Sequence, residues 1–344
     1  MELRRAYYHC AGCRSSQVPW DLVLALGRRD LTPAAAEVTT LAGTLASFAQ
    51  AAERTLSKMT GLRLSKSTVR RTTEEAGERL SELRRSKKRL GADRLWAWQR
   101  DARGRSCAYV SLDATGVRRQ GPGGAAAEGR MAYVAMIYNA RSEHDSRRPS
   151  PHQVRYLAGF LGLDDMGLQL RRQAAHVGWD HAEQQIALSD GGSGLEEFMH
   201  RNFPLATCIL DFYHASEHVS NLARALHPSD EKAFLQQTQA WCHQLKHEGG
   251  AALLATWQRL DVSSTKAEVR EAYRQETQYL GNNVHRTDYP TYLANGWQIG
   301  SGPIEAACKV VVGQRLKCSG KRWCDPGADA VCHLRALYCS EPDQ

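Results

Sequence analysis

Residues 105–214 change hydrophobic period in an order that few folds accommodate. Cys107–Leu112 reads as a short apolar strand ending on Asp113, and after a loop at Gly121–Gly124, Met131–Tyr138 reads as a second strand. Val154–Phe160 fits a third. Leu163, Met166, Leu170, Ala174 and Val177 then recur at helical spacing. Gln185–Ser189 follows as a fourth strand ending on Asp190, Gly194–Asn202 as a helix, and Ala206–Leu210 as a fifth strand ending on Asp211, with a helix from about Tyr213. Three strands precede the first helix, so the segment is not a doubly wound nucleotide-binding sheet, which alternates strand and helix from its start. No glycine-rich phosphate loop or dinucleotide fingerprint follows any of these strands.

The order predicts an α/β ribonuclease-H-like core over residues 105–214, interrupted by an all-α insertion at 215–300 and completed by 301–344. In that last stretch Pro303 opens a fresh helix, Ile304–Leu316, with Glu305 in its first turn. Upstream, residues 31–104 read as helix, and Gly61 followed by Ser65 or Ser67 as N-cap makes a helix-turn-helix-like, DNA-binding pattern. It offers Lys66, Arg70 and Arg71 near the start of the second helix, where recognition helices meet the major groove. Arg84, Arg85, Lys87 and Lys88 follow as a phosphate-facing tract. A basic face on an ordinary helical hairpin, followed by a solvated linker, fits the same residues.

Lys and Arg number 45 against 37 Asp and Glu, a net charge of +8 that favours a polyanionic partner. No apolar stretch approaches the ~20 residues of a membrane span, and Met1 opens on Glu-Leu-Arg-Arg rather than a secretory signal, so the expectation is a cytoplasmic chain with reduced cysteines. In residues 1–30, Cys10 and Cys13 have the spacing of half a zinc ribbon. A degenerate ribbon without Zn²⁺ is an equal reading, because only His9 is near enough in sequence to add a ligand.

Three acids stand where strand ends or a helix start would present them: Asp113, Asp190 and Glu305. Clustered carboxylates repel unless a hard cation neutralises them. Two Mg²⁺ (or Mn²⁺) ions about 4 Å apart would activate a nucleophile and stabilise the leaving oxygen of a phosphodiester. Each acid also has a plain structural role open to it: a turn cap for Asp113, a loop start for Asp190, a helix N-terminus for Glu305. Asp211 and His214 form a further strand-end pair, suited to orienting ligands or contacting DNA, although His214 could equally be a core histidine. Lys309, Arg315 and Lys317 share the Glu305 helix and would approach phosphates.

Arg5–Cys10, Asp113-Ala114-Thr115-Gly116-Val117, Ser189-Asp190-Gly191-Gly192, Asp211-Phe212-Tyr213-His214 and above all Asn295–Glu305 resemble the ISKra-type insertion-sequence transposases, DDE enzymes similar to the Mutator group. The resemblance runs from about residue 5 to residue 340. It implies metal-dependent cleavage and joining of double-stranded DNA at element ends by a homo-oligomer, with no membrane partner. It also implies that Asp211 and His214 match the auxiliary motif downstream of the second catalytic acid. The sequence departs from the family pattern at Ala114, where glycine is commoner, and in starting just before Cys10, as a truncated copy would.

Overall fold

The computed structural model describes residues 5–26, 30–86, 93–140, 153–192 and 194–340. Two short strands, β1 (Tyr8–His9) and β2 (Ser16–Gln17), pair as an N-terminal hairpin. Five more, β3 (Cys107–Gln120), β4 (Ala126–Tyr138), β5 (Val154–Gly159), β6 (Gln184–Ser189) and β7 (Thr207–Leu210), build one mixed sheet in the order β5-β4-β3-β6-β7. The first three form an antiparallel meander; β6 then pairs parallel to β3, and β7 parallel to β6. Parallel neighbours need a crossover, and the helices Leu163–Val177 and Leu195–Asn202 supply the two required here.

Period-two alternation splits the core into two layers. Cys107, Tyr109, Ile186 and Leu188 face the helices of the C-terminal half of the chain, while Ala108, Val110, Leu112 and Ala187 face the Leu163–Val177 and Leu195–Asn202 helices. Trp96 and Trp98 close that second layer, stacking edge-on at 5.2 Å, so the end of the 31–104 stretch belongs to the core. The meander also extends past its apolar segments. β3 continues to Gln120 and β4 begins at Ala126, because the pairing between them satisfies their backbone groups, with Val117 and Ala132 buried in the core at the inner end of this stretch.

The insertion is helical, as its pattern predicts: Glu231–Glu248, Gly250–Gln258 and Ala267–Asn283, then a 3₁₀ turn at Val284–Arg286 and a short helix Tyr289–Ala294. Upstream, Pro33–Leu45 and Lys66–Arg85 are helices capped by Thr32 and Ser65. They do not form a detached arm. Lys66–Arg85 lies against the C-terminal helix Asp325–Cys339 so closely that a Cβ on Gly77 would collide with the Ala330 backbone.

Packing corrects two expected phosphate contacts. Arg84 is 6 % exposed and bonds His333 Nδ1 at 3.2 Å, burial lowering its pKa to about 10. Arg315 is 2 % exposed, donates from Nε and Nη2 to the Gly43 carbonyl, and is sandwiched between the rings of Phe48 and Trp323. Neither guanidinium faces solvent. The cause for Arg315 is local: it follows Cys308, Val311 and Val312 at i+7, i+4 and i+3, so it shares the buried face of its helix. Lys66, Arg70, Arg71, Arg85, Lys309 and Lys317 are exposed, whereas Lys87 and Lys88 lie outside the described residues. Among the described residues no helix is long and apolar enough to cross a membrane.

Candidate active site

The sheet register brings the first two acids together. β3 and β6 pair in parallel from Cys107–Gln184 to Ser111–Leu188, an offset of 77 residues, which is also the offset between Asp113 and Asp190. Each acid lies two residues past the last paired position of its strand. Adjacent strands run about 4.8 Å apart, and both acids share the parity of Tyr109 and Leu188, so they project from the same face as those core residues.

Glu305 approaches that face from the helix Gly302–Ala307, which packs on β3 and β4. Burial, joined by the charges of Asp190 and Glu305, pushes the Asp113 carboxyl above the ordinary carboxylate range, against the opposing pull of bonds from the Ala114 N–H and the Cys308 thiol. The three acids are therefore electrostatic neighbours. The first two are also closed on local donors. Asp113 accepts from Ala114 N at 2.6 Å and from Cys308 Sγ at 3.4 Å, and Asp190 accepts from Gly192 N at 2.8 Å; Glu305 Oε1 lies 2.8 Å from Ser301 Oγ.

Among the described residues, no group of three or more His, Cys, Asp or Glu is gathered as tightly as a metal ion requires. The donor chemistry nonetheless fits Mg²⁺ or Mn²⁺: three carboxylates, all oxygen ligands, and a mutual repulsion that a divalent cation relieves. To hold one, Asp113, Asp190 and Glu305 would exchange the local bonds just described for the ion.

Asp211 does a different job. It is 3 % exposed and accepts four hydrogen bonds: Tyr213 N and His214 N as the N-cap of the helix Phe212–Leu226, and Ser301 N and Ser301 Oγ from the start of the Glu305 segment. With its acceptors filled, it ties the end of β7 to the residue that bonds Glu305. His214 is linked to it through backbone N–H only. The His214 ring faces Glu217 at 3.6 Å and lies edge-on to His218, which in turn stacks on Tyr279 at 3.5 Å.

The Asn295–Glu305 stretch is the seam holding these parts. The Asn295 carbonyl accepts from Ala102 N, Trp297 Nε1 donates to the side chain of Asp101, and the Ile299 carbonyl accepts from Phe212 N at 2.8 Å. Gly300 passes the Tyr213 ring so closely that a Cβ there would sit 2.6 Å from it, which accounts for glycine at that position.

Three supporting residues escape a reading of the sequence for acids alone. Ser301 and Cys308 lie four before and three after Glu305, so helical spacing was the available signal. Arg286 carries no such signal. It comes from the end of the insertion, is 2 % exposed, and donates to Ser189 Oγ at 2.8 Å and to the Ser189 and Asp190 carbonyls at 3.3 Å. Beside it, Gly191, Gly192, Tyr279, Asn282 and Asn283 line an open pocket of about 630 Å³.

Far from this cluster, Cys10 and Cys13 sit exposed at the tip of the β1–β2 hairpin. Bonds from the Ser15 side chain and backbone, with one from Cys10, bring the Cys13 thiol down to about 7. Two thiols in a hairpin turn resemble half a zinc knuckle, and no further ligand joins them among the described residues. Compared with known proteins, the chain matches no family model and no curated relative.

Proposed function

We propose that the chain is a metal-dependent DNA transposase of the DDE type, cleaving phosphodiesters at element ends and joining the freed 3′-hydroxyl to target DNA. One observation carries the reading. Asp113 and Asp190 sit in register on neighbouring parallel strands, each two residues past the last β3–β6 pair, and burial with the charges of Asp190 and Glu305 raises the Asp113 pKa. The strand order, three antiparallel strands followed by two parallel ones, supports a ribonuclease-H-like core. The helical insertion between β7 and the Glu305 helix supports the same relationship.

In this reading Asp113, Asp190 and Glu305 hold the divalent ions, which when bound polarise the scissile phosphate and activate the attacking oxygen. The protein's own part is positional. Arg286 fixes the backbone that carries Asp190, Asp211 and Ser301 fix the start of the Glu305 helix, and Cys308 donates to Asp113. Handling two ends and a target fits a homo-oligomer on double-stranded DNA, working in the cytoplasm.

The test incubates protein, Mg²⁺ and a labelled duplex carrying an element end. Cleavage and strand transfer by the wild type are expected, with each of Asp113→Asn, Asp190→Asn and Glu305→Gln lowering the rate by about 10³-fold or more. DNA affinity in EDTA should stay within about threefold. Cleavage that survives these substitutions overturns the assignment. Binding with no cleavage by the wild type would leave a DNA-binding regulator.

A further inference from the structure

β6 accompanies β3 only as far as Ser111, but β4 stays paired with β3 to Gln120. The outer half of this hairpin therefore projects past the carboxylates to a turn at 121–125. A second segment lies along it. Trp323 N donates to the Arg118 carbonyl at 3.1 Å, Gln120 N donates to the Trp323 carbonyl at 2.8 Å, and Arg322 Nη1 reaches the Gly124 carbonyl at 3.3 Å. Lys317 Nζ bonds Thr115 Oγ1, two residues along β3 from Asp113. Together hairpin and segment enclose a pocket of about 360 Å³ lined by Arg118, Gln120, Gly124, Gly320, Lys321 and Arg322.

The charges here are sorted. Arg119 and Arg130 are each paired with Asp325 at 2.7 Å. Arg118, Lys317, Lys321 and Arg322 make no ion pair among the described residues, and Glu128 on the same hairpin pairs with none of them. Grouping uncompensated cations costs free energy that a polyanion recovers on binding. Two guanidiniums suit the fork geometry of phosphate oxygens. The left-handed backbone of Gly124 and Gly320, at φ +85° and +73°, leaves no side chain in the way at either point.

A strand rises about 3.3 Å per residue, so Arg118 lies about 17 Å along β3 from Asp113, and by alternation it projects from the other face of the strand. We propose that this basic pocket, with Lys317, clamps the phosphates of duplex DNA along the hairpin beyond the carboxylates. Its location rests on the proposed active site; its affinity for duplex does not.

The experiment follows binding of a 20-base-pair fluorescent duplex by anisotropy in EDTA across a salt series. The triple variant Arg118→Gln/Lys321→Gln/Arg322→Gln should bind about 10–100-fold more weakly at 0.1 M salt. Its slope of log K against log salt should shrink by about 2 to 3, since each phosphate contact contributes about 0.9. The charge-matched triple Lys232→Gln/Arg259→Gln/Arg274→Gln on the insertion should leave both quantities unchanged. Circular dichroism checks the fold, and the single variant Arg322→Gln, at an exposed residue, carries the test if the triple does not fold. Inorganic phosphate at constant ionic strength should not compete. An unchanged slope, an equal loss in both triples, or competition by free phosphate each overturns the clamp. Intact clamp behaviour without Mg²⁺-dependent cleavage sinks the active-site reading alone, and cleavage with an unchanged slope sinks the clamp alone.

Discussion

The Ser301 hydroxyl lies 2.7 Å from Asp211 Oδ2 and 2.8 Å from Glu305 Oε1, and it has one proton to donate. Asp211 is buried and has no water to fall back on, so the proton serves it first. Glu305 is exposed and is free to turn towards the other two acids without opening the buried network. Ser301→Ala should destabilise the fold by about 1–3 kcal/mol by removing one of the four bonds to buried Asp211, measured as a shift in the denaturant midpoint. Asp113 gives the opposite sign. Its pKa is raised in the fold, so the folded state loses relative stability as pH climbs through that raised value, and the loss is absent where the group is protonated in both states. Asp113→Asn should accordingly raise Tm in metal-free buffer at pH 7, with the gap closing as pH falls to about 4. A gap that persists at low pH would mean the gain has another source.

At the scale of elements, Arg286 shows the insertion bracing the sheet. Its guanidinium holds the Ser189 hydroxyl and two carbonyls at the end of β6 while lying 2 % exposed. Arg286→Met removes the donor to the Ser189 hydroxyl and the Asp190 carbonyl, while the Ser189 carbonyl keeps the Asp211 N–H. The expected outcome is a loss of about 1–3 kcal/mol in chemical denaturation, together with faster amide exchange at Asp190 and Gly191. Much of this architecture was legible beforehand. The apolar runs located all five sheet strands, and the parallel register follows once strand order is known, because Asp113 and Asp190 sit at matching distances beyond Ser111 and Leu188. Other parts were not legible for physical reasons. Residues 113–120 stay in a strand because β4 pairs with their backbone, and Val117 is the one large apolar side chain among them to show it. Arg315 shares the buried face of Cys308, Val311 and Val312, and only its charge suggested an outward placement. Arg84 reads as one of a basic run, and only the packing of its helix on Asp325–Cys339 distinguishes it from exposed Arg85.

At the scale of the molecule, Arg315 pins the N-terminal helices to the C-terminal half of the chain, through the Gly43 carbonyl and the Phe48 and Trp323 rings. Arg315→Ala should cost about 2–5 kcal/mol, through the cavity it leaves and the lost bonds to the Gly43 carbonyl, and make residues 33–85 an early target of limited proteolysis, with duplex affinity of the folded fraction unchanged. A selective loss of DNA binding at unaltered Tm would return Arg315 to the surface role that its sequence context suggests. The Asn295–Glu305 seam has a consequence in time as well as in space. Asp113 and Asp190 are joined by a sheet whose five strands are complete by residue 210, but Glu305 lies almost a hundred residues later and its helix runs on into the segment leaning on Asp325–Cys339. During synthesis the sheet can form and pair its acids long before the third acid exists. The three acids therefore come together only after the sheet is made, and a chain that stops short of residue 305 holds two of them.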